Sequence, residues 1–323
     1  MGSVENKHLR LPLIDFSDLD PQNPATQKWA IARSQISQAL EAHGCFEVIY
    51  DRVGPELRQE LFGRVMPELF DLPLEAKQKN SSCFGKYTGY IGQIPGLAYE
   101  SLRVDAAATV EGLQGFERLL WPQGNPRFCN TVWTYAKHMQ ELAKMVHRIV
   151  LESLGVEKYY DYHIQPKTSA LRFSEYDVPL DQETKTGMFG HLDPNMLTII
   201  CQHKEGLEVQ TKEGEWIHVV PLTNSFTVLI GEAFKVWTNG KFQPPIHRVN
   251  MIGDEKRYSV LFATRPSDDY LLEPLEELVD GDHPLLFKPL KYKDYITFRY
   301  SEEGRKCKNP LEGYCGVRSK VEA

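Results

Sequence analysis

The chain of 323 residues is 41% hydrophobic and carries a formal net charge of -7. That length suits one large domain, or a core with a helical annex, and the acidic balance argues against nucleic acid, whose phosphates need a basic face. No apolar run approaches a membrane span, and MGSVENKHLR lacks both a signal peptide's apolar stretch and the Ser or Thr at position six that myristoylation needs.

Six cysteines (Cys45, Cys83, Cys129, Cys201, Cys307, Cys315) show no CxxC spacing and read as free thiols of a reducing compartment. A soluble, cytoplasmic protein is expected. Residues 11–16, LPLIDF, alternate as a strand should, and PATQKWAIARSQISQALEAHG follows with helical spacing and a stop at Gly44. CFEVIY reads as a buried strand and GPELRQELFGRVMPELFDLP as a second helix. Residues 80–112, rich in Gly, Tyr and Ser, are expected to be loop. A long helix is expected over residues 131–154, where Tyr135, Met139, Leu142, Met145 and Val146 fall near one face.

From Lys167 onward short β-rich pieces alternate with turn signals: SALRFSEY, NMLTIICQ, GLEVQT, EWIHVV, FTVLIG, HRVNMI and RYSVLFATRP. TKEGEW is a hairpin turn between two of them, and YKDYITFRYSEEG is expected to form a short helix near the end. A helical front and many short strands predict a sandwich, barrel or jelly roll. Neither a GxGxxG loop, a P-loop nor a GxSxG elbow is present, so phosphate-cradling and hydrolase readings lack support.

MFGHLDPNMLTII, residues 188–200, places a histidine and an aspartate two positions apart. In an extended chain His191 and Asp193 share a face. Three readings are open: a surface hydrogen bond, an Asp-Pro turn beside an incidental histidine, or two ligands of one metal ion. A third ligand would decide. His8, His43 and His283 fall in loops or turns, and His138 and His147 in the long helix. His247 instead heads a strand several strands downstream, and a jelly roll can return a late strand beside an early one. Two histidines and one carboxylate on a β scaffold make the facial triad of non-haem Fe(II) oxygenases, whereas a structural zinc site closes its coordination.

Ten residues after His247 stands Arg257, in RYS, on one strand face with Ser259. A guanidinium can pair a carboxylate in two parallel bonds and a serine hydroxyl can add a third; the plain alternative is a strand-edge salt bridge. A small diacid could bind metal at one end and Arg257 at the other, which is the logic of a 2-oxoglutarate site.

GHLDPNMLTIICQ, GLEVQTKEGEWIHV, SFTVLIGEAFKVWTNGKFQPPIHRV and RYSVLF resemble the core of plant 2-oxoglutarate/Fe(II)-dependent dioxygenases. LPLIDFSDL and HGCFEVIYDRV extend the resemblance over nearly the whole chain. GYIGQIPGLAYESL, LWPQGN and LFKPL are most similar to the branch that includes the alkenyl- and hydroxyalkyl-glucosinolate-producing enzymes. The resemblance implies an α+β fold, a double-stranded β-helix (jelly roll) core with N-terminal and flanking helices. It implies that His191, Asp193 and His247 bind iron, that Arg257 and Ser259 hold the distal carboxylate of 2-oxoglutarate, and that Tyr176 also reaches this cosubstrate. Relatives often carry Asn-Tyr-Tyr where this chain has Ser174-Glu175-Tyr176.

The implied chemistry couples oxidative decarboxylation of 2-oxoglutarate to oxidation of an unactivated C–H bond of a plant specialised metabolite. Succinate and CO2 are released, O2 is consumed, and ascorbate is the expected reductant. Hydroxylation or dealkylation is expected; the filled carboxylate position argues against halogenation. A 2-oxoglutarate-independent oxidase and a catalytically silent binding protein are the alternatives. By position, Phe116, Arg172, Ala263 and Arg265 line the substrate pocket, with Tyr87 or Tyr90 from the Gly/Tyr loop. Arg265 would suit an acidic or oxygen-rich substrate and Ala263 a bulky ring system. Residues 1–165 are expected to form a helical region packed on a catalytic core at 166–303, with an extension at 304–323, as one monomeric unit whose partner is a small molecule, not nucleic acid or membrane.

Overall fold

The computed structural model describes residues 9–317 apart from 82–88, 93, 165, 166 and 182. Its first elements follow local chemistry. β1 (Leu13–Asp15) pairs in parallel with β2 (Cys45–Ile49), and between them runs α1 (Gln27–His43). Thr26 caps α1 by accepting from Trp29 N, and Trp29, Ala32, Ile36, Ala39 and Leu40 form its buried stripe. Gly44 ends it in the left-handed region at φ 66°. A Cβ there would collide with the carbonyl oxygen of Gln243, so α1 packs against the loop that leads to His247.

The second expected helix is one run in three parts: α2 (Pro55–Glu60), a π turn at Leu61–Val65, and α3 (Met66–Phe70). Pro67 has no N–H to donate and its ring crowds the preceding turn, which accounts for the widened helix just before it. α4 (Leu74–Gln78) follows. The segment expected to be loop then departs from expectation. Tyr99–Asp105 is strand β3, and Val110–Leu120 is helix α5, opened by the Thr109 cap. α6 (Pro126–Ser153) is five residues longer at its start than its apolar periodicity indicates. Asn125 caps it by accepting from Phe128 N and Pro126 fills the first turn, a start signal that periodicity alone does not register. A short α7 (Tyr160–Ile164) ends this part.

The second half supplies most strands: β4 (Lys167–Tyr176), β5 (Thr186–His191), β6 (Leu197–Gln202), β7 (Leu207–Gln210) and β8 (Trp216–His218). β9 (Ser225–Ile230), β10 (His247–Asn250) and β11 (Arg257–Pro266) complete the two main sheets. The major sheet runs β1-β2-β9-β6-β11-β4-β3 and the minor sheet β5-β10-β7-β8, the two layers of a jelly roll. The N-terminal part thus contributes three strands to the major sheet. The expected hairpin turn joins β7 to β8, with Gly214 at φ 91°. α8 (Glu232–Trp237) follows β9; sequence reading passed over it. After the small pair β12 (Leu271–Leu272) and β13 (Leu290–Lys291) come α9 (Tyr292–Tyr300), the expected closing helix, then α10 (Glu302–Lys306) and α11 (Pro310–Cys315).

Alternation along the major sheet sorts its two faces. On β11, Val260 and Phe262 are fully buried against the helical layer, with Phe173 of β4, Ile199 of β6 and Val228 of β9. That layer is built on Tyr135, Met139 and Leu142 of α6 and on Trp29 of α1. The opposite face of the sheet, carrying Arg257, Ser259, Leu261 and Ala263, turns to the cavity between the sheets. Among the described residues no helix is long and apolar enough to cross a membrane, and the five described cysteines are all free.

Gly44→Ala adds a Cβ at positive φ and drives it into the carbonyl of Gln243, four residues before His247. We expect a loss of more than ~1 kcal/mol of stability in urea unfolding. Metal affinity should fall in parallel, because the displaced loop positions His247.

Candidate active site

β10 lies antiparallel to β5 with His247 directly opposite His191. The register sets the two imidazoles 4.3 Å apart between ring centroids. Strand β5 ends at His191, so Asp193 does not share an extended strand with it. The chain instead turns at Asp193-Pro194-Asn195 before β6, and that turn brings the carboxylate back to the histidines. Asp193 Oδ1 lies 3.8 Å from His191 Nε2 and 3.9 Å from His247 Nε2. The three ligand atoms fall within 4.8 Å of one another, and among the described residues this is the one cluster able to hold a metal ion.

The surroundings prepare each donor. His191 Nδ1 lies 2.9 Å from Phe189 O and His247 Nδ1 3.4 Å from Pro245 O. A carbonyl can only accept, so each Nδ1 carries the proton and each Nε2 keeps a lone pair toward the cluster. Burial, and then the neighbouring His191, push the His247 imidazole down to about 4, which keeps it neutral. Burial works to raise the Asp193 carboxyl, but the two imidazoles and the Thr198 hydroxyl outweigh it and hold it below the usual range. Thr198 Oγ1 donates to Asp193 Oδ2, leaving Oδ1 for the histidine side. Two neutral nitrogens and one carboxylate oxygen fit Fe(II) and leave the rest of its coordination open. The side chain of His191 is 39% exposed and that of His247 only 4%, so the cluster opens on the His191 side.

A buried ion pair braces the turn from behind. Glu232, 1% exposed, accepts from Arg299 Nη1 at 2.5 Å and from Tyr295 OH at 2.7 Å. Arg299 Nη2 donates to Leu192 O at 2.8 Å, and the Glu232 backbone N–H donates to Asp193 O at 2.8 Å. Gly231 lets α8 come this close, since a Cβ there would meet Asn195 O. No sequence motif announces this clamp, because its members are 67 residues apart and of ordinary type.

The cluster faces a cavity of about 360 Å³ between the sheets. At one end Arg257 is 2% exposed. Its Nη2 donates to Gln202 Oε1 at 2.7 Å and its Nε to Glu205 O at 2.9 Å, and its guanidinium lies 4.9 Å from the Tyr176 ring. Nη1 is buried with no hydrogen-bond partner among the described residues. An unmet donor on a buried cation is costly, and a carboxylate entering the cavity would satisfy it. Ser259 and Tyr176 line the same end; burial pushes the Tyr176 hydroxyl up to about 12, so it stays protonated.

Of the substrate-pocket candidates, Arg172, Ala263 and Arg265 line the cavity. Phe116 does not. It is buried on the far side of the sheet, stacked on Phe128 at 5.6 Å, because the α5 stripe that carries it faces α6. Arg265 Nη1 lies 2.7 Å from Asp268 Oδ1, so a carboxylate of the chain itself already meets the group assigned to an acidic substrate. Tyr90 packs against the main core, and Tyr87 lies outside the described residues. Sequence reading missed Arg103, Tyr292 and Tyr300, which also line the cavity, because β3 was not recognised and α9 carried no motif.

A jelly roll with a two-histidine, one-carboxylate cluster beside a buried arginine defines the class of non-haem iron oxygenases. The comparisons agree. Residues 152–266 match the 2OG-Fe(II) oxygenase superfamily, and residues 11–100 match the family described as non-haem dioxygenase in morphine synthesis N-terminal. A probable 2-oxoglutarate-dependent dioxygenase of Arabidopsis thaliana, AOP1.2, is 36% identical over 94% of this chain and 95% of its own. Another Arabidopsis relative, named a probable inactive 2-oxoglutarate-dependent dioxygenase, AOP2, is 32% identical over 98% of this chain and 99% of its own. The structure of rice dioxygenase for auxin oxidation superposes with a TM-score of 0.78 at 27% identity, covering 95% of this chain and 100% of that one. The chain belongs to the 2-oxoglutarate/Fe(II)-dependent dioxygenases and is an oxidoreductase of that family.

Thr198→Val keeps the shape of the residue and removes the hydroxyl that fixes Asp193. Anaerobic titration should show Fe(II) affinity lower by roughly tenfold or more, and urea unfolding of the apo-protein a loss of ~1–3 kcal/mol, because Asn195 Nδ2 and Asp193 Oδ2 each lose a partner. Arg299→Met leaves Glu232 buried without its cation and should cost ~3–5 kcal/mol in urea unfolding. Adding Glu232→Gln should recover part of that loss, and a strictly additive pair would refute the clamp.

Proposed function

We propose that His191, Asp193 and His247 hold Fe(II), and that Arg257, Ser259 and Tyr176 hold the distal carboxylate of 2-oxoglutarate. The chain then oxidises a plant specialised metabolite, by hydroxylation or dealkylation, with release of succinate and CO2. The observation that carries this reading is the buried Nη1 of Arg257, which has no partner among the described residues, on the same cavity as the His-Asp-His cluster. Bound at that cluster, iron supplies O2 activation and the decarboxylation of 2-oxoglutarate.

The chain's own residues do the rest. Phe189 O and Pro245 O hold the two imidazoles in the tautomer that presents Nε2. Thr198 turns one carboxylate oxygen away, and Arg257 fixes the far end of the diacid so that its keto-acid end points back to the metal. The apolar part of the cavity, including Leu261, Ala263 and Ile296, limits water around the reacting bond. Ascorbate is proposed as the reductant that keeps the iron ferrous. A single, monomeric unit in the cytoplasm is proposed, supported by the shared major sheet, the free cysteines and the lack of a membrane-length apolar helix among the described residues.

The test is succinate release from 2-oxoglutarate with Fe(II), ascorbate and O2, as pooled plant metabolites are added in fractions. Succinate that rises with one fraction supports the reading; bound iron and 2-oxoglutarate consumption that no fraction stimulates would overturn it. Arg257→Ala should raise the 2-oxoglutarate KM by roughly tenfold or more, the loss of a charge-assisted pair worth ~1.5–3 kcal/mol. An unchanged KM would move the cosubstrate elsewhere.

A further inference from the structure

The arginines on the cavity wall differ in how the chain answers their charge. Arg299 pairs with Glu232, Arg265 with Asp268 and Arg103 with Asp105. Arg257 is treated otherwise. Its Nη2 donates to Gln202 Oε1 at 2.7 Å, and its Nε donates to Lys204 O at 3.1 Å and to Glu205 O at 2.9 Å, all neutral oxygens. Glu175, Glu205 and Glu255 lie on segments that flank it, but their carboxylates are turned elsewhere, to Lys256, His218 and Lys204. Burial depresses the Arg257 guanidinium and the neighbouring Tyr176 opposes this, so the charge is carried at a cost without a carboxylate of the described residues beside it.

Gln202 is the side chain that sets this pattern. It ends β6, is 4% exposed, and stands opposite Ser259 in the register of β6 and β11. Its Oε1 accepts from Arg257 Nη2 and also from Leu207 N, at 3.3 Å. Two donors on one side fix the amide with its oxygen toward the guanidinium. A glutamate has the same length and shape and would accept the same two bonds, the one from Arg257 roughly twice as strongly. If a buried donor were all that had to be satisfied, a carboxylate would serve better. It would stay ionised beside the cation, and a second carboxylate arriving at the guanidinium would then be repelled by the first.

We propose, building on the assignment of Arg257 to the distal carboxylate of 2-oxoglutarate, that Gln202 is a positioning residue that sets the charge preference of the cosubstrate site. Its amide oxygen holds Nη2 without cancelling the positive charge. The guanidinium therefore keeps both a fixed orientation and its charge for a 2-oxo acid that carries a second carboxylate. The choice between 2-oxo acids with and without that group is made through a side chain that does not itself line the cavity.

The test uses the protein loaded with Fe(II) under argon, where no turnover occurs. Calorimetry compares 2-oxoglutarate with 2-oxovalerate, which has a methyl group in place of the distal carboxylate. Wild type should bind 2-oxoglutarate roughly tenfold or more tightly than 2-oxovalerate, as expected for a charge-assisted pair. Gln202→Glu should bring that ratio close to one while the affinity for 2-oxovalerate and the urea midpoint of the apo-protein stay near wild type. Gln202→Met stays neutral but removes the acceptor; it should lower the urea midpoint and keep the greater part of the preference.

A Gln202→Glu protein that keeps the wild-type ratio would overturn the proposal. So would one that weakens both 2-oxo acids by the same factor, which marks a purely structural role, or a Gln202→Met protein whose preference collapses as completely as that of Gln202→Glu. Arg257→Ala separates the two claims. A preference that survives Arg257→Ala refutes the cosubstrate assignment, whereas one that is lost there and kept in Gln202→Glu refutes the role of Gln202 alone.

Discussion

The structure depends on one constraint: part of the inner face of the major sheet has to stay open and carry polar groups while its outer face builds the main core. A strand offers alternate residues to each side, so β11 carries Arg257, Ser259 and Arg265 inward and Val260 and Phe262 outward. The main hydrophobic core therefore lies outside the jelly roll, against α6 and α1, while a smaller apolar cluster of Ile200, Leu229, Leu207, Val209 and Ile217 closes one end of the space between the sheets and leaves the rest as the cavity. This places most of the stabilising burial on one side of a backbone that is rigid by pairing, and the costly groups on the other. A buried guanidinium such as Arg257 would be intolerable in a floppy scaffold, because its partners are fixed backbone and side-chain oxygens from the β6–β7 turn.

The same division explains what the sequence made legible. β6 and β9 are buried throughout, mostly apolar and bounded by turns, so they read plainly as strands. The His-Asp pair, the late histidine and the Arg-x-Ser pair were visible because their chemistry is rare enough in strands to demand a reason. β3 was hidden for the opposite cause. Its inward residues Tyr99, Ser101 and Arg103 are polar because they face the cavity, and in composition they look like the loop before them. α5 was obscured by Gly112 and Gly115, and α8 by its six-residue length. Phe116 was drawn to the pocket by its position alone, whereas the helix stripe that carries it had only one apolar surface to meet.

The clamp behind Asp193 was illegible for a topological reason. Glu232 follows β9 and Arg299 lies on a C-terminal helix, and only the closed fold brings them together under the turn at Asp193. Buried ion pairs are weak sources of stability, since desolvation offsets much of the attraction. Their value here is directional. Arg299 reaches past Glu232 to the carbonyl of Leu192, and Glu232 holds the carbonyl of Asp193 through its own N–H. The turn is therefore fixed at two successive carbonyls while its side chain is set by Thr198.

That arrangement ties the C-terminal helix to both ends of the chemistry. On α9, Arg299 braces the turn that carries Asp193, while Tyr292, Ile296 and Tyr300 line the cavity. A substrate that presses on this helix presses on the support of a candidate metal ligand, over a rigid path of a single helix and one ion pair. Changes of cavity shape along α9 are therefore constrained in a way that changes along β3 are not, because β3 touches the cavity without touching the clamp. Substitutions at Arg103 and its neighbours on β3 leave the support of the His-Asp-His cluster untouched, whereas one that moves α9 alters cavity shape and the placement of the Asp193 carboxylate together.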